Sequence, residues 1–397
     1  MTGRATLLAA LFLGALTLRP QLVAIGPLLP QIQHGLGISH SVGGLLGTIP
    51  VLCMGAFAPL APYLSRRVGS RSSIALAVAA IGAFGVLRAE VPNAAGVILL
   101  TIPVGIGIGL AGALMPVVVK EHFADRPAFA TGVYATGITA GAALSAAIAV
   151  PLSHLLAGWR DALVGIAVGS LVLAAAWLLL TRSGPRTERS RARPPRLPFR
   201  RGVAWVLALV FALNANVFYA VNAWLPDYYV ERGWDQSRAG LLVSVMSAAG
   251  IPAGLVVPWF ADRLGARRFY LAGNSAVMLA GLLGIVLLPG GGWVWSALLG
   301  LGTGALFPLL LTLPLDVADR PAEVGAIGGL MLGAGYLGAA VSPFYLGAVR
   351  DATGSFTAGL ATLAGGVAVM LVISVFLSSE RLRERPAQAS RLAAPGG

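Results

Sequence analysis

The chain has 397 residues, of which 57% are hydrophobic and only 11% are charged, and its mean hydropathy is +0.83. Soluble globular domains carry about 25% charged residues. The composition therefore excludes a soluble enzyme or a soluble binding domain, and it is typical of a protein that crosses a membrane several times.

In chain order, the sequence contains twelve apolar segments of about the 20 residues that a helix needs to cross a bilayer. Because lipid cannot satisfy backbone polar groups, Val- and Ile-rich runs within these segments are predicted to be helices rather than strands. The first segment exceeds signal-peptide length and lacks a cleavage site, so we expect it to be retained. The predicted spans, numbered one to twelve, cover residues 7–30, 42–63, 73–89, 95–119, 128–151, 161–181, 203–226, 238–260, 269–288, 293–315, 324–349 and 356–378.

Arg19 lies near the middle of span one and is the only charged side chain at such a depth in the sequence. A guanidinium there costs about 2.5–3.5 kcal/mol on insertion scales, and it cannot escape the cost by losing its proton. Arg19 therefore needs a protein partner, a water-filled cavity or an anionic ligand. Pro20 follows directly and predicts a kink, because proline cannot donate to the helix ladder. Anion binding and a structural role on neighbouring carbonyls both remain open.

Span seven has the densest polar content of the twelve spans. At 100° per residue, Asn214, Asn222 and Tyr219 share one helix face with Phe218, whereas Asn216 points elsewhere. Polar groups at membrane depth face a cavity or another helix. Asn214, Tyr219 and Asn222 are therefore candidate substrate ligands, with bonding between helices as the open alternative.

The sequence offers no pattern of an enzyme or a metalloprotein. All 15 acidic residues fall in loops or at span ends, and the four histidines are scattered without metal-ligand spacing. Two G-x-G-x-x-G runs lie inside spans rather than after strands, so nucleotide binding is not predicted. We predict no catalytic residue, no metal site and no cofactor.

Charge placement predicts the topology in the membrane. With a cytoplasmic N-terminus, cytoplasmic segments hold 22 of the 28 Lys and Arg residues. This distribution predicts a protein of the cytoplasmic (inner) membrane with both termini on the cytoplasmic side. The Arg- and Pro-rich run between spans six and seven is predicted to lie against anionic lipids rather than nucleic acid. The outer loops are expected to hold five arginines: Arg88, Arg160, Arg232, Arg238 and Arg350.

The two sets of six spans match each other in sequence. Ala124-Asp125-Arg126-Pro127-Ala128 recurs identically at 318–322, and Leu28-Leu29-Pro30 corresponds to Trp224-Leu225-Pro226. Two parallel halves of this kind predict alternating access, with a solute bound near the midplane between them. The predicted organisation is a six-helix bundle over 1–181, a cytoplasmic linker over 182–201, a second six-helix bundle over 202–380 and a disordered tail over 381–397.

Asp262-Arg263-Leu264-Gly265-Ala266-Arg267-Arg268 resembles the D-R-x-G-R-R-x loop motif of the major facilitator superfamily. The copy in the first half departs from that motif, because Arg66 stands where the aspartate belongs and Arg67 follows. Leu18-Arg19-Pro20-Gln21 and Pro116-Val117-Val118-Val119-Lys120 resemble the cyanate/2-nitroimidazole porter branch.

The resemblance implies an all-α fold of twelve helices in two pseudo-symmetric bundles. It also implies a central cavity lined by spans one, four, seven and ten, with help from spans two, five, eight and eleven. Tyr134, Phe307 and Tyr336 thereby become candidate ligands, with ordinary helix packing as the alternative.

The loop motif implies a gate formed by a small group of residues, namely Arg66, Arg67, Asp262 and Arg263. We expect Asp262 to stand near the N-terminal end of span five, around Pro127 to Thr131, where the helix dipole favours a carboxylate. Arg66 cannot make the matching contact with span eleven.

The sequence thus predicts a monomeric secondary transporter of a small anionic solute that is bound by Arg19 and the span-seven amides. An exporter of small neutral or nitro-aromatic compounds is the alternative within the same class. From other classes, a membrane enzyme lacks any motif to support it, and a non-transporting receptor lacks a soluble sensor domain.

Overall fold

The structure is a computed structural model and describes residues 2–123, 127–181, 198–264, 267–318 and 321–376. Within these residues all regular secondary structure is helical, and twelve segments are long and apolar enough to cross a membrane. The predicted all-α fold and the number of spans are therefore confirmed. The predicted linker and tail lie largely outside the described residues, so their boundaries remain predictions.

Spans one to six are formed by helices of the first half. Span one is divided among α1 to α3, span two is α4, α5 follows it at the membrane edge, and spans three to six are α6 to α9. The bounds are α1 (Thr2–Leu16), α2 (Pro20–Val23), α3 (Ile25–Leu36), α4 (His40–Phe57), α5 (Ala61–Val68), α6 (Ser70–Glu90), α7 (Ala94–His122), α8 (Pro127–Leu155) and α9 (Trp159–Leu180), with a 3-10 turn at Ala58–Leu60.

Spans seven to twelve are formed by helices of the second half. Spans seven to ten are α10 to α13, span eleven is divided between α14 and α15, and span twelve is α16. The bounds are α10 (Gly202–Val230), α11 (Gln236–Leu264), α12 (Arg267–Leu287), α13 (Gly292–Val317), α14 (Pro321–Ala339), α15 (Val341–Thr353) and α16 (Thr357–Phe376), with a 3-10 turn at Pro289–Gly291.

The two halves pack their helices in the same pattern, as the sequence duplication requires. Spans one and five, two and four, and three and six pair in the first half, and the equivalent spans pair in the second half. Glycines at matching positions allow this packing. Gly105 and Gly109 of span four lie against the backbone of span two, and Gly300 and Gly304 of span ten lie against the backbone of span eight. Small residues of this kind let helices approach closely in lipid.

The halves meet mainly through three helix pairs, namely spans one and seven, two and eleven, and five and eight. The closest approaches lie toward the end of the molecule that carries the turns at residues 37–39 and 231–235. There Gly26 faces the backbone oxygen of Asn222, and Gly347 faces that of His40. The Gln236 Nε2 atom donates to the Pro27 oxygen at 2.9 Å. We call this region the sealed end.

Gly26 is the contact that most directly limits how closely spans one and seven approach. A Cβ atom at Gly26 would overlap the backbone oxygen of Asn222, whereas one at Gly112 meets nothing within 4 Å. We expect Gly26→Ala to destabilise the protein by about 1–3 kcal/mol through overpacking. Gly112→Ala serves as the control and should not lower the melting temperature in detergent. Equal melting temperatures for the two variants would contradict this description of the sealed end.

Candidate functional site

Span one is interrupted where Arg19 lies. Helix α1 ends at Leu16 and α2 begins at Pro20, so the predicted break is present. Pro20 has no N–H to donate to Leu16, and the Leu16 oxygen instead faces Gly141 of span five. The Arg19 oxygen accepts a hydrogen bond from the Val23 N–H at 2.9 Å. The interruption therefore places the Arg19 side chain on an irregular segment that neighbouring helices hold in place.

The Arg19 side chain lies between the two halves and is 8% exposed. Its Nη1 atom donates to the hydroxyl oxygen of Tyr219 at 2.6 Å. The guanidinium carbon lies 5.4 Å from the ring centroid of Phe218 and 5.3 Å from that of Tyr219. Within the described part of the chain, no carboxylate lies at ion-pairing distance from Arg19. Tyr336 is a second side-chain hydrogen-bond partner of Arg19. Arg19 is thus a buried cation whose hydrogen-bond partners are neutral phenols.

A series of aromatic rings continues from Tyr219 through the second half. The ring centroids of Tyr219 and Tyr336 are 6.4 Å apart, and Tyr336 meets Phe211 edge to face at 5.0 Å. Phe211 in turn lies 6.0 Å from Phe307. Tyr134, buried on span five, is an electrostatic neighbour of Tyr336. The structure therefore brings the three aromatic candidates into one cluster with Tyr219.

Phe211 belongs to this cluster but was not a sequence candidate. It precedes Tyr219 by eight residues on α10, a spacing that places both on nearly one helix face. This spacing from Tyr219 is the sequence signal for Phe211, but an apolar ring inside a span is ordinarily helix packing.

The two amide candidates of span seven are buried but do not bond to Arg19. Asn222 is 5% exposed and donates from Nδ2 to the Phe218 backbone oxygen at 2.6 Å, while its Oδ1 atom has no partner. Asn214 is 3% exposed, and its Oδ1 atom also has no partner. Tyr219 is therefore the predicted neighbour that contacts Arg19, and the amides leave two unpaired acceptors.

The space beside Tyr219 is small in this conformation. A cavity of about 10 Å³ lies between spans one and seven and is bordered by Gly26, Phe218, Tyr219 and Asn222. A volume of that size holds about one water molecule. A larger groove of about 300 Å³ lies between spans seven, eleven and twelve, where Asn216 borders it, and it does not reach Arg19. A solute at Arg19 therefore requires the halves to move apart.

Arg88 corrects a prediction made from the sequence, which placed this residue in an outer loop. It lies in α6 and is 0% exposed, so the protein holds a second buried cation. Its Nη2 atom donates to the Gln21 Oε1 atom at 2.7 Å and to the Gln21 backbone oxygen at 3.1 Å. Its Nη1 atom lies 3.5 Å from the Thr101 hydroxyl. Arg88 is thereby bonded to span one at Gln21, two residues after Arg19.

The predicted gate residues are described only in part. Arg67 stacks over the Tyr63 ring at 4.6 Å, and Arg263 stacks over the Trp259 ring at 4.0 Å. The side chains of Arg66 and Asp262 lie outside the described residues. The expected approach of Asp262 to the start of span five therefore stays a prediction.

Gln21 supplies two acceptors of the buried Arg88 guanidinium, and a substitution removes the side-chain acceptor, Oε1, while the backbone oxygen remains. We expect Gln21→Ala to lower the free energy of unfolding by about 1.5–3 kcal/mol, the usual range for a hydrogen bond to a charged group. Gln33→Ala is the matched control, because Gln33 makes no side-chain hydrogen bond among the described residues. Thermal unfolding in detergent measures both variants. A Gln21→Ala protein as stable as wild type would show that Arg88 does not rely on Gln21.

Comparison with known proteins shows the family of the whole chain. The sequence profile of the Major Facilitator Superfamily matches residues 7–343. The cyanate transport protein CynX of Escherichia coli (strain K12) is 31% identical over 371 residues, covering 93% of this chain and 96% of that protein. The 2-nitroimidazole transporter of the same organism is 31% identical over 377 residues, covering 94% and 95%.

Among solved structures, a bacterial homolog of the human lysosomal transporter Spinster, in an inward-facing and occupied conformation, superposes with a TM-score of 0.76. The two proteins share 18% sequence identity over 96% of this chain and 98% of that one, which shows a common fold. These findings confirm the resemblance predicted from the loop motif and from the residues around Arg19. They identify a multi-pass membrane transporter rather than an enzyme, and the chain belongs to the Major Facilitator Superfamily.

Proposed function

We propose that this transporter moves a small anion across the membrane by alternating access and that Arg19 binds the anion. One observation carries the proposal. Arg19 lies between the halves as a buried guanidinium, and within the described residues it bonds to the neutral phenols of Tyr219 and Tyr336 and to no carboxylate. A buried cation without a counter-ion is costly, and a bound anion would remove that cost.

The surroundings of Arg19 support an anionic ligand. Arg88, the second buried cation, bonds to the same segment of span one and also lacks a carboxylate among its described partners. The rings of Phe218 and Tyr219 hold the guanidinium by cation–π contact, and the phenols of Tyr219 and Tyr336 are its hydrogen-bond partners. Both partners are neutral, so an anion that displaces them gains two-point binding by the planar fork.

The Arg19–Tyr219 hydrogen bond also connects solute binding to the movement of the halves. Arg19 belongs to the first half and Tyr219 to the second. An anion that takes Nη1 from the Tyr219 hydroxyl replaces a bond between halves with a bond to the solute. A ligand can shift a conformational equilibrium only by binding two states differently, and this exchange provides such a difference.

The topology is part of the proposal. With both termini cytoplasmic, as the arginine distribution predicts, the sealed end faces outward and the Arg19 site opens toward the cytoplasm. A small solute is consistent with the two Escherichia coli relatives, which are described as transporters of cyanate and of 2-nitroimidazole.

Substitution of Arg19 tests the proposal in proteoliposomes loaded with cyanate. We expect Arg19→Ala to abolish cyanate flux and to leave the melting temperature equal or higher, because a buried charge is removed. Arg19→Lys should be nearly as inactive, since an ammonium lacks the planar two-point grip. Arg238→Ala, at an exposed arginine of span eight, is the control and should transport normally.

A structural role for Arg19 has the opposite signature. Arg19→Ala would then lower the melting temperature, and Arg19→Lys would recover part of it. Normal cyanate flux in Arg19→Ala would also contradict the proposal. A protein that shows ligand-induced stabilisation but no flux of any tested solute would support a non-transporting receptor.

A second candidate function is export of small neutral or nitro-aromatic compounds, and the unpaired Oδ1 atom of Asn222 favours it. That acceptor borders the cavity beside Tyr219 and suits the N–H of an imidazole ring. If it binds such a solute, Asn222→Ala should weaken 2-nitroimidazole binding by up to about tenfold and leave cyanate binding unchanged. Asn216→Ala, at the separate groove, is the matched control. Equal binding of 2-nitroimidazole to wild type, Asn222→Ala and Asn216→Ala would contradict this second candidate function.

A further inference from the structure

A second group of ionisable side chains lies at the sealed end, away from Arg19. His40 at the start of α4 belongs to the first half, whereas Asp227 of α10, the adjoining Glu231 and Asp351 of α15 belong to the second half. One ligand atom from each of His40, Asp227 and Glu231 lies within 4.8 Å of the other two. These three residues are called the gate triad below.

Asp227 is the member of the gate triad that most needs a partner. Its side chain is 8% exposed, and its Oδ2 atom makes no hydrogen bond. That atom lies 3.6 Å from the Nε2 atom of His40. The separation is long for a hydrogen bond. It is close to the distance of about 3.4 Å between two ligands of a tetrahedral zinc ion, given bonds of about 2.0–2.2 Å.

The other ring nitrogen of His40 has the partner expected for a metal ligand. Its Nδ1 atom lies 2.9 Å from the Asp351 Oδ1 atom, and Asp351 also accepts the backbone N–H groups of His40 at 3.0 Å and Ser41 at 2.7 Å. Histidines that bind metals almost always donate their second nitrogen to a carboxylate or carbonyl. With the proton on Nδ1, the lone pair on Nε2 points toward Asp227.

The charges around the gate triad leave room for a divalent cation. Asp227, Glu231 and Asp351 carry three negative charges, and Arg350 offsets one of them through its Nε bond to the Glu231 Oε1 atom at 2.6 Å. With neutral His40, two negative charges remain unbalanced. Glu231 keeps its second oxygen for another ligand.

The walls of this site are aromatic and exclude water from one side. The His40 ring lies 5.6 Å from the ring centroid of Trp224 and 5.8 Å from that of Phe356. A low-polarity surrounding strengthens the attraction between a cation and the buried carboxylate of Asp227.

We propose that the gate triad binds one divalent transition-metal ion, with zinc(II) favoured by its one imidazole and two carboxylate ligands. A water molecule completes the tetrahedron. Because His40 comes from one half and the two carboxylates from the other, the ion joins the halves and holds the sealed end shut. This site is independent of the anion proposed at Arg19.

The test uses purified full-length protein from which any affinity tag has been removed, since tag histidines bind zinc. Zinc(II) at buffered free concentrations should bind with one equivalent per chain and raise the melting temperature, whereas Mg²⁺ and Ca²⁺ should not. His40→Ala and Asp227→Asn should each lower zinc affinity at least tenfold, and Asp351→Asn by about 10–100-fold. His154→Ala, an exposed histidine at the same end, should bind zinc as wild type does.

Asp227→Asn keeps the size of the side chain and so separates loss of a ligand from loss of the fold. Equal zinc affinity in wild type, His40→Ala and Asp227→Asn would overturn the proposal. It would also be overturned if zinc failed to bind while acidification alone stabilised wild type but not His40→Ala. That second result would make the cluster a site for protons rather than for a metal.

Discussion

Arg19 places a guanidinium between two helical bundles at membrane depth, and this charge is a constraint on the helices around it. Arg19 cannot lose its proton, and no described carboxylate lies beside it. Three features answer that constraint together. Span one is interrupted so that the side chain reaches the interface, aromatic rings face the cation, and the Tyr219 hydroxyl of the other half accepts one hydrogen bond. None of these features supplies a counter-ion, and the proposed function assigns that role to a bound anion.

The fold could be predicted almost entirely from the sequence because lipid leaves few alternatives. An apolar segment of about 20 residues must satisfy its backbone internally, which makes it a helix. Helical periodicity also placed Asn214, Tyr219 and Asn222 on one face of span seven. It could not show that Asn222 would bond to Phe218 in its own helix, since that depends on the rotamer. The burial of Arg88 was missed because its position near a span end does not reveal which neighbouring helices cover it.

The sequence duplication explains why the helices of the two halves pack alike. The residues around Arg19 are where the two halves differ. Matching glycines in spans four and ten pack in the same way, since helix packing is inherited by both halves. The charged position is not duplicated: at the sequence offset of 196 that relates the halves near span one, Ala215 corresponds to Arg19. The first half therefore supplies the charge, and the second half supplies Tyr219, Tyr336 and most of the rings. A single asymmetric site results from a symmetric framework.

The two regions where the halves meet have different physical characters, and the difference suits alternating access. At the sealed end, the backbones of the two halves approach closely at Gly26 and Gly347, and side chains such as His40 and Asp227 add to that packing. At Arg19 the halves meet through a hydrogen bond between side chains, which in the proposed function a solute replaces as the halves move apart. In the proposed function, a solute that competes for Arg19 weakens this side-chain contact first. The closely packed backbones at the sealed end would then separate only if the free energy gained from binding exceeds the cost of separating them.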